Sequence, residues 1–500
     1  MQAGEGYLLA VDIGTTTTRC ILFDLEGMPV AKACREPRIH HPQINWTEVE
    51  PEDWWDATVA VIRETLQRAE VPSAEILGVG LCGLQHALVP IDSEGRSLSR
   101  SMLWMDQRCR PQVEWLVREH RELVEEIIDK ALAFSTTSSA LKLRWIVENE
   151  PDLVRQTHKF LLVKDFIRFR LTGTVATDPY DAAGTCLFDG RTGKWSHRML
   201  ELIGVPRDKM PPIHDSTQVV GGVTEEAAQA TGLAPGTPVV IGSGDVLCTC
   251  IGANAFDFGE LSRADPKRAC LYLGTAAWIS IPGTRGRTIG ATATTGASLK
   301  WLAELLGIGD LQCSDSDLPL DSSYTAFLQE AESVPPGSRG LIFLPHLMGE
   351  RGPQHDPEAK GAFFGLTLAH GRSELARAVL EGCAFQLRRI LENPASFGIG
   401  EMVAVGGGAK STFWLSIIAD VTGIPLLVPR VLEAGALGAA ILAGVGVGVY
   451  PGVREAAEAL VQIVSQHEPD RARQDLYTRI YSIFLDLENR VAPLYGRVPV

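Results

Sequence analysis

The feature that most constrains this chain is a strand–turn–strand unit that occurs twice. The first copy runs from Leu8 to Gly27, LLAVDIGTTTTRCILFDLEG. An apolar run, Leu8 to Val11, is broken by Asp12; Gly14 and four threonines then form a turn, and Cys20 to Phe23 is a second apolar run. Apolar runs joined by a Gly-containing turn predict a β-hairpin. A carboxylate at the end of a buried strand is costly unless a cation or hydrogen-bond donors compensate it. Backbone N–H groups and hydroxyls at such a turn can cradle phosphate oxygens, with the aspartate holding an accompanying magnesium. A strand-end Asp that only accepts turn N–H bonds explains this single stretch equally well. The second copy, ACLYLGTAAWISI from Ala269 to Ile281, again runs strand, Gly274-Thr275 turn, strand. Two such units in separate halves predict duplicated domains facing each other across a cleft, where a phosphate chain could be gripped from both sides.

A length of 500 residues with 45% hydrophobic content is ample for two domains with real cores. The net charge of −15 argues against nucleic acid and anionic membranes as partners. It leaves local phosphate recognition open. The N-terminus lacks a basic flank followed by an apolar core, so no signal peptide is expected. Ten cysteines are scattered, with only Cys248-x-Cys250 close together, which fits reduced cytoplasmic thiols better than a metal site or disulfides. Ala434 to Val453 carries no charged residue but holds six glycines and a proline, so it reads as a helix packed on a sheet rather than a membrane span.

Along the first half, Trp55, Val59, Ile62 and Leu66 recur at helical spacing. Gly78 to Gly83 matches G-x-G-x-x-G by letter, but no amphipathic helix follows, so it is not a dinucleotide fingerprint. Gln85-His86 follows at the strand end, and Trp104-Met105-Asp106-Gln107-Arg108 sets a ring beside an acid and a base in a loop. Such groups suit a polyol, whose hydroxyls need donors and acceptors; a structural His and a surface ion pair are the bland alternatives. Helices are expected over Gln112–Asp129, Ala140–Glu148 and Phe160–Leu171, and Thr177–Gly184 reads as a polar loop. Thr237–Ile241 is a strand leading into Gly242-Ser243-Gly244-Asp245, where Asp245 is either a helix N-cap or a carboxylate presented at a strand's carboxyl edge. The domain boundary is expected near Ala253 to Asp265. In the second half, long helices are expected over Arg372–Leu391 and Thr412–Thr422. Between them, Gly406-Gly407-Gly408-Ala409-Lys410-Ser411 follows a strand; it lacks the first glycine of a Walker A loop and instead offers bare backbone to a base or ribose.

Taken together, DIGTTTTR, LWMDQR, GSGD, LGTAAW, GERGPQHDPEAKGAFFGLT and GGGAKS stand in the order found in the FGGY carbohydrate kinases, which the chain resembles from about Leu8 to Tyr450. The resemblance implies an α/β fold of two duplicated actin-like (ribonuclease H-like) ATPase domains around a central cleft. Residues 1–253 would bind sugar and carry the first phosphate motif, and residues 254–500 would bind nucleotide. It implies ATP and magnesium as cofactors, a small sugar as partner, and a homodimer as a compatible assembly. Asp245 would be the general base. Asp12, Gly14, Thr15, Thr16, Arg19, Gly274, Thr275, Gly407, Gly408, Ala409 and Lys410 would lie on the nucleotide side, with Asp12 and Asp245 near the metal. Gln85, His86, Trp104, Asp106, Arg108 and Asp245 would meet the sugar. The LWMDQR loop and the segment Gly349–Thr367 look most like those of members that phosphorylate D-xylulose, although Met105 stands where an Asn is common. Ribulose, other ketoses, gluconate or a polyol are the alternatives, as is an actin-like nucleotide module without sugar kinase activity.

Overall fold

The computed structural model describes residues 6–127, 135–256, 267–281, 287–308, 322–352, 356 and 358–497. Three expected features fall partly outside them: the helix end at Asp129, the far side of the boundary region, and 353–355 and 357 of the GERGP segment.

The chain divides into two compact units: residues 1–248 with 435–460, and residues 249–434 with 461–500. The expected linear division was at 253/254; the units instead break at 248/249, and Gly435–Leu460 returns to the first unit.

In the first unit, strands β1 (Tyr7–Ile13), β2 (Thr18–Phe23), β3 (Pro29–Arg35), β4 (Ile76–Gly83), β5 (Val219–Gly222) and β6 (Pro238–Val240) form one sheet. Its order is β5-β6-β4-β1-β2-β3, with the short strand β7 (Ser243–Gly244) also on β4. The predicted hairpin is present, with Asp12 opposite Arg19 and Ile13 opposite Thr18. β1 runs parallel to β4, and β4 parallel to β6 and β7. In the second unit, β8 (Lys267–Leu273), β9 (Ala277–Ile281), β10 (Arg287–Ala291), β11 (Ile399–Val405), β12 (Leu426–Pro429) and β13 (Ile463–His467) pair in the order β10-β9-β8-β11-β12-β13. From the hairpin edge inward, both sheets run antiparallel, antiparallel, parallel, parallel, antiparallel. The duplication read from two Gly-Thr turns is thus a duplication of whole sheets.

Helix α1 (Pro51–Ala69) covers the first sheet. It buries Trp54, Trp55, Thr58, Val61, Ile62 and Thr65, a face rotated slightly from the expected Trp55/Val59/Ile62/Leu66 stripe. Phe160–Leu171 is not one helix. Lys159–Leu162 forms a strand against Leu88–Ile91, and α2 (Val163–Thr172) starts only after it, closed by Gly173 in the left-handed conformation. Thr177–Gly184 is likewise not a plain loop: α3 (Pro179–Gly184) begins there, with Asp178 as its N-cap accepting from Tyr180 N and Asp181 N. α4 (Asp245–Gly252) follows the GSGD loop. The second sheet is covered by α5 (Arg372–Leu391) and α6 (Thr412–Thr422), both with the expected bounds. α7 (Ala434–Gly446) is the uncharged Gly-rich segment, and among the described residues no helix is long and apolar enough to cross a membrane. In the first unit α7 lies so close to β4 that a Cβ on Gly80 would collide with the Ala439 carbonyl.

Candidate active site

The carboxyl ends of β1, β4 and β7 lie side by side. Asp12 is level with Cys82, and Cys82 with Ser243, so a single row of the sheet carries Asp12 on one side and the loop to Asp245 on the other. Carboxyl ends of strands in α/β sheets are where functional groups gather. Gly242 has φ +72°, and a Cβ there would strike the Leu81 carbonyl, so only glycine allows the loop to turn this close to β4. Asp245 then opens α4, partly exposed, with its Oδ1 accepting from the Val246 N–H at 2.9 Å.

Burial pushes the Asp12 carboxyl pKa up, against the pull of Arg19 and of a hydrogen bond from the Cys82 thiol. A hydrogen bond with Cys248, burial and the neighbouring aspartates hold that thiol well above its usual range, so it remains a neutral donor. The turn beyond Asp12 closes by a Gly14 N–H bond to the Thr17 carbonyl at 2.9 Å. Thr16 is exposed, while Gly14, Thr15 and Arg19 are partly exposed. Thr15 Oγ1 accepts from Trp104 Nε1 at 2.9 Å, which joins the Gly14–Thr17 turn to the loop expected to meet sugar.

Gln85 and His86 follow the end of β4 and are both partly exposed. His86 has φ +71°, an uncommon conformation for a residue with a Cβ, and its ring Nδ1 lies 3.0 Å from the Gly184 carbonyl. The His86 carbonyl accepts from Ser139 Oγ and Lys142 Nζ, so the strained turn is held from both sides. Gln85 Nε2 donates to Asp181 Oδ1 at 3.0 Å.

Asp106 and Arg108 differ from expectation. Asp106 is fully buried, and its carboxylate accepts four bonds: from Thr47 N, Arg108 N, Arg108 Nε and Arg108 Nη2. Four is about the capacity of a carboxylate, which leaves no acceptor for a hydroxyl. Arg108 also binds Glu48 at 2.6 Å and lies 3.6 Å above the Trp46 ring. This pair braces the loop that presents Trp104.

Sequence reasoning missed what lies beneath. Lys164, Asp165, Arg168, Asp178 and Asp181 are all buried and clustered behind Gln85 and the GSGD loop. The acids of Thr177–Gly184 looked like solvated loop residues; Asp-Pro at 178–179, an N-cap followed by a helix-starting proline, was the available signal.

In the second unit the Gly274-Thr275 turn is tied to the start of the helix Gly296–Leu305: Gly296 N donates to the Gly274 carbonyl at 3.0 Å, and Thr295 N and Ala297 N donate to the Thr275 carbonyl. Tyr272 and Trp278 stack beside it at 5.3 Å. In the glycine loop, Gly407 is exposed, Gly408 and Lys410 are partly exposed, and Ala409 is buried in the core. Of the loop positions expected to meet adenosine, Ala409 is therefore closed off, and Gly407 and Gly408 leave backbone accessible. Ser411 caps α6 by accepting from Trp414 N. Among the described residues no group of three or more His, Cys, Asp or Glu side chains is arranged to hold a metal.

Against known proteins, the family models for the N-terminal and C-terminal domains of the FGGY family of carbohydrate kinases match residues 7–252 and 284–447. A xylulose kinase of Escherichia coli is 30% identical over 97% of this chain and 99% of its own length. Two solved structures from Lactobacillus acidophilus, a ligand-bound xylulose kinase and a gluconate kinase, each superpose with a TM-score of 0.84 at 25% identity, covering 99% of this chain and 100% of theirs. With both halves matched, with the same sheet built twice, and with its candidate carboxylates astride the central strand of the first sheet, the chain belongs to the FGGY family of carbohydrate kinases.

Proposed function

We propose that this protein is a cytoplasmic kinase that transfers the γ-phosphoryl group of ATP to a primary hydroxyl of a small open-chain sugar, D-xylulose first. The observation that carries the chemistry is the row Asp12–Cys82–Ser243, which sets one carboxylate on each side of the end of β4. Asp245 takes the proton of the acceptor hydroxyl as that oxygen bonds to phosphorus and the bond to the β-phosphate oxygen breaks. Such transfer depends mainly on positioning and on neutralising phosphate charge. The Gly14–Thr16 and Gly274–Thr275 turns offer N–H groups and hydroxyls to phosphate oxygens, and Arg19 and Lys410 offer charge. Gly407 and Gly408 offer open backbone to the adenosine.

Asp12 suits a magnesium ligand, because a divalent cation would reverse the raised pKa that burial alone imposes. Magnesium is commonly held by one or two carboxylates and the substrate phosphates, so a cage of three protein ligands is not required. Asp12, with Asp245, would hold the ion, and the ion would supply charge neutralisation on the phosphates.

On the sugar side, Gln85, His86 and Trp104 are the partly exposed groups at the strand ends. D-xylulose leads because the relative that is 30% identical over nearly its full length is a xylulose kinase. Coupled ADP-release measurements across pentuloses, hexuloses, aldonic acids and polyols test the reading. The expected result is acceptor-dependent ADP release, highest in kcat/KM for D-xylulose, and lowered about 10²–10⁴-fold in kcat by Asp245→Asn. ADP release that ignores every acceptor sinks the kinase reading, whereas a higher kcat/KM for gluconate or ribulose sinks only the choice of sugar.

A further inference from the structure

The proposed phosphoryl transfer leaves one buried feature without a task. The Lys164 ammonium, its side chain 1% exposed, lies 2.7 Å from Asp165 Oδ1, 2.9 Å from Asp178 Oδ1 and 3.0 Å from Asp181 Oδ2. Arg168 donates to Asp165 Oδ1 at 2.8 Å and to the Ile241 carbonyl, the last residue before the GSGD loop, at 3.3 Å. Replacing buried ion clusters by packed apolar groups is often neutral or stabilising, so such a cluster is weakly explained by stability alone.

Two of its outward bonds reach the candidate site. Asp178 Oδ2 accepts from Ser243 Oγ at 2.7 Å, and Asp181 Oδ1 accepts from Gln85 Nε2 at 3.0 Å. Ser243 stands two residues before Asp245, and Gln85 is a candidate reader of the acceptor's hydroxyls. Gly244 lies under both: a Cβ there would collide with Asp181 Oδ1 and come within 2.9 Å of Gln85 Cγ and Nε2. The loop, the carboxylate and the amide are therefore packed with no slack.

We propose that Lys164, Asp178 and Asp181 are positioning residues for the phosphate acceptor: one buried ammonium fixes the two carboxylates that hold Ser243 and Gln85, and so fixes the candidate base relative to the amide that reads the hydroxyl. This rests on the sugar kinase reading. The chemistry is specific to the charge. Once ionised, above a pKa that burial raises to about 8, Asp181 accepts only from the N–H end of an amide, and so dictates which end of Gln85 is left for the acceptor. With an amide at position 181, either end of Gln85 could pair, and the hydroxyl would meet a mixture.

The test, run above pH 8 where Asp181 is ionised, compares Asp181→Asn, Ser243→Ala, Gln85→Ala and the double variant Asp181→Asn/Gln85→Ala in kcat and KM for the best acceptor, KM for ATP, and Tm. Asp181→Asn is expected to lower kcat/KM for the acceptor about tenfold, the scale of a lost charge-assisted hydrogen bond, with KM for ATP unchanged. In the Gln85→Ala background the same substitution is expected to have no further effect, because it acts through that amide. Ser243→Ala is expected to lower kcat with little change in acceptor KM. Lys164→Met removes the hub, and if it does not fold, the near-isosteric variants still decide the matter. Additive effects of positions 85 and 181, equal losses for acceptor and ATP, or a fall in Tm with wild-type kinetics would each overturn the proposal. Wild-type protein that releases no ADP with any acceptor removes the kinase reading and this proposal together. Wild-type activity without the coupling removes this proposal alone.

Discussion

Asp12 is a carboxylate whose charge burial disfavours. Burial lifts its pKa above the ordinary 3.8, and Arg19 and the Cys82 thiol only partly reverse this. Below 3.8 both folded and unfolded forms are protonated and nothing is lost. As pH rises through the folded pKa, the folded state must ionise a desolvated group, and stability falls. Asp12→Asn carries no charge to desolvate. The metal-free variant is expected to melt higher than wild type at neutral pH, by roughly a degree or more, with the gap closing in acid. The same variant should lose the magnesium dependence of kcat. Thermal unfolding across pH, with and without magnesium, checks both. A variant less stable than wild type at neutral pH would mean that donors already satisfy Asp12. The hairpin around Asp12 was legible in the sequence because the strand break, Gly14 and Thr15 are local and the register puts them where the pattern predicts, whereas the Cys82 thiol and Trp104 reach it from other elements. Asp106 and Arg108 were less legible. Their partners, Thr47, Glu48 and Trp46, lie some sixty residues away, and only folding shows the carboxylate to be fully engaged.

At the scale of elements, the start of α2 and the start of α3 together bury three carboxylates against two cations. Burial works against the Lys164 ammonium, yet Asp165, Asp178 and Asp181 together hold its pKa above the usual range. Burial also opposes ionisation of Asp165, but Lys164 and Arg168 hold that carboxyl below its ordinary pKa. The carboxylate left over keeps its proton: burial pushes Asp181 up to about 8, with Asp178 and Asp165 adding to the rise and Lys164 opposing it. The stability gained from this raised pKa is full below 3.8 and is lost as pH climbs through about 8. Asp165, shifted the other way, changes its contribution only below 3.8, outside that window. Wild-type stability is therefore expected to decline with rising pH between those limits, and Asp181→Asn should flatten the profile. Urea midpoints measured at several pH values would decide it, and parallel profiles would place the retained proton elsewhere. Beyond the Asp-Pro step at 178–179, the sequence carries no local sign of this cluster. Asp178 and Asp181 within a Gly-containing stretch look solvated, and Lys164 looks like an ordinary helix lysine. They meet because Lys159–Leu162 is a strand that delivers α2 to the end of β4, where Gly83 leaves room for the Lys164 backbone.

At the scale of the molecule, the sequence displays the duplication but conceals which pieces complete each copy. Both sheets have the same pairing pattern, yet the first is backed by a segment that arrives almost two hundred residues after the first unit's main stretch ends. An uncharged, Gly-rich helix looks the same in sequence whichever core it joins. Contact decides it, since Cβ atoms on Gly80 and Gly438 would strike the Ala439 and Cys248 carbonyls respectively, and a Cβ on Gly78 would meet Val447 at 2.9 Å. Tyr450 also donates its hydroxyl to the Leu25 carbonyl at 3.0 Å. Without this segment, one face of β4 and the Leu8 side chain that packs near Gly444 would lose their cover, and exposed apolar surface of that extent favours aggregation. A fragment of residues 1–248 is therefore expected to lack cooperative unfolding and to bind a hydrophobic dye. Joining it to 435–460 through a short Gly-Ser linker should restore a cooperative transition, because Gly438 already lies against Cys248 and the linker has little distance to span. Near-ultraviolet circular dichroism and thermal unfolding of the two fragments make the comparison. Equal cooperativity in both would mean that the first sheet closes its core alone, and that the returning helix contributes to something other than the stability of that unit.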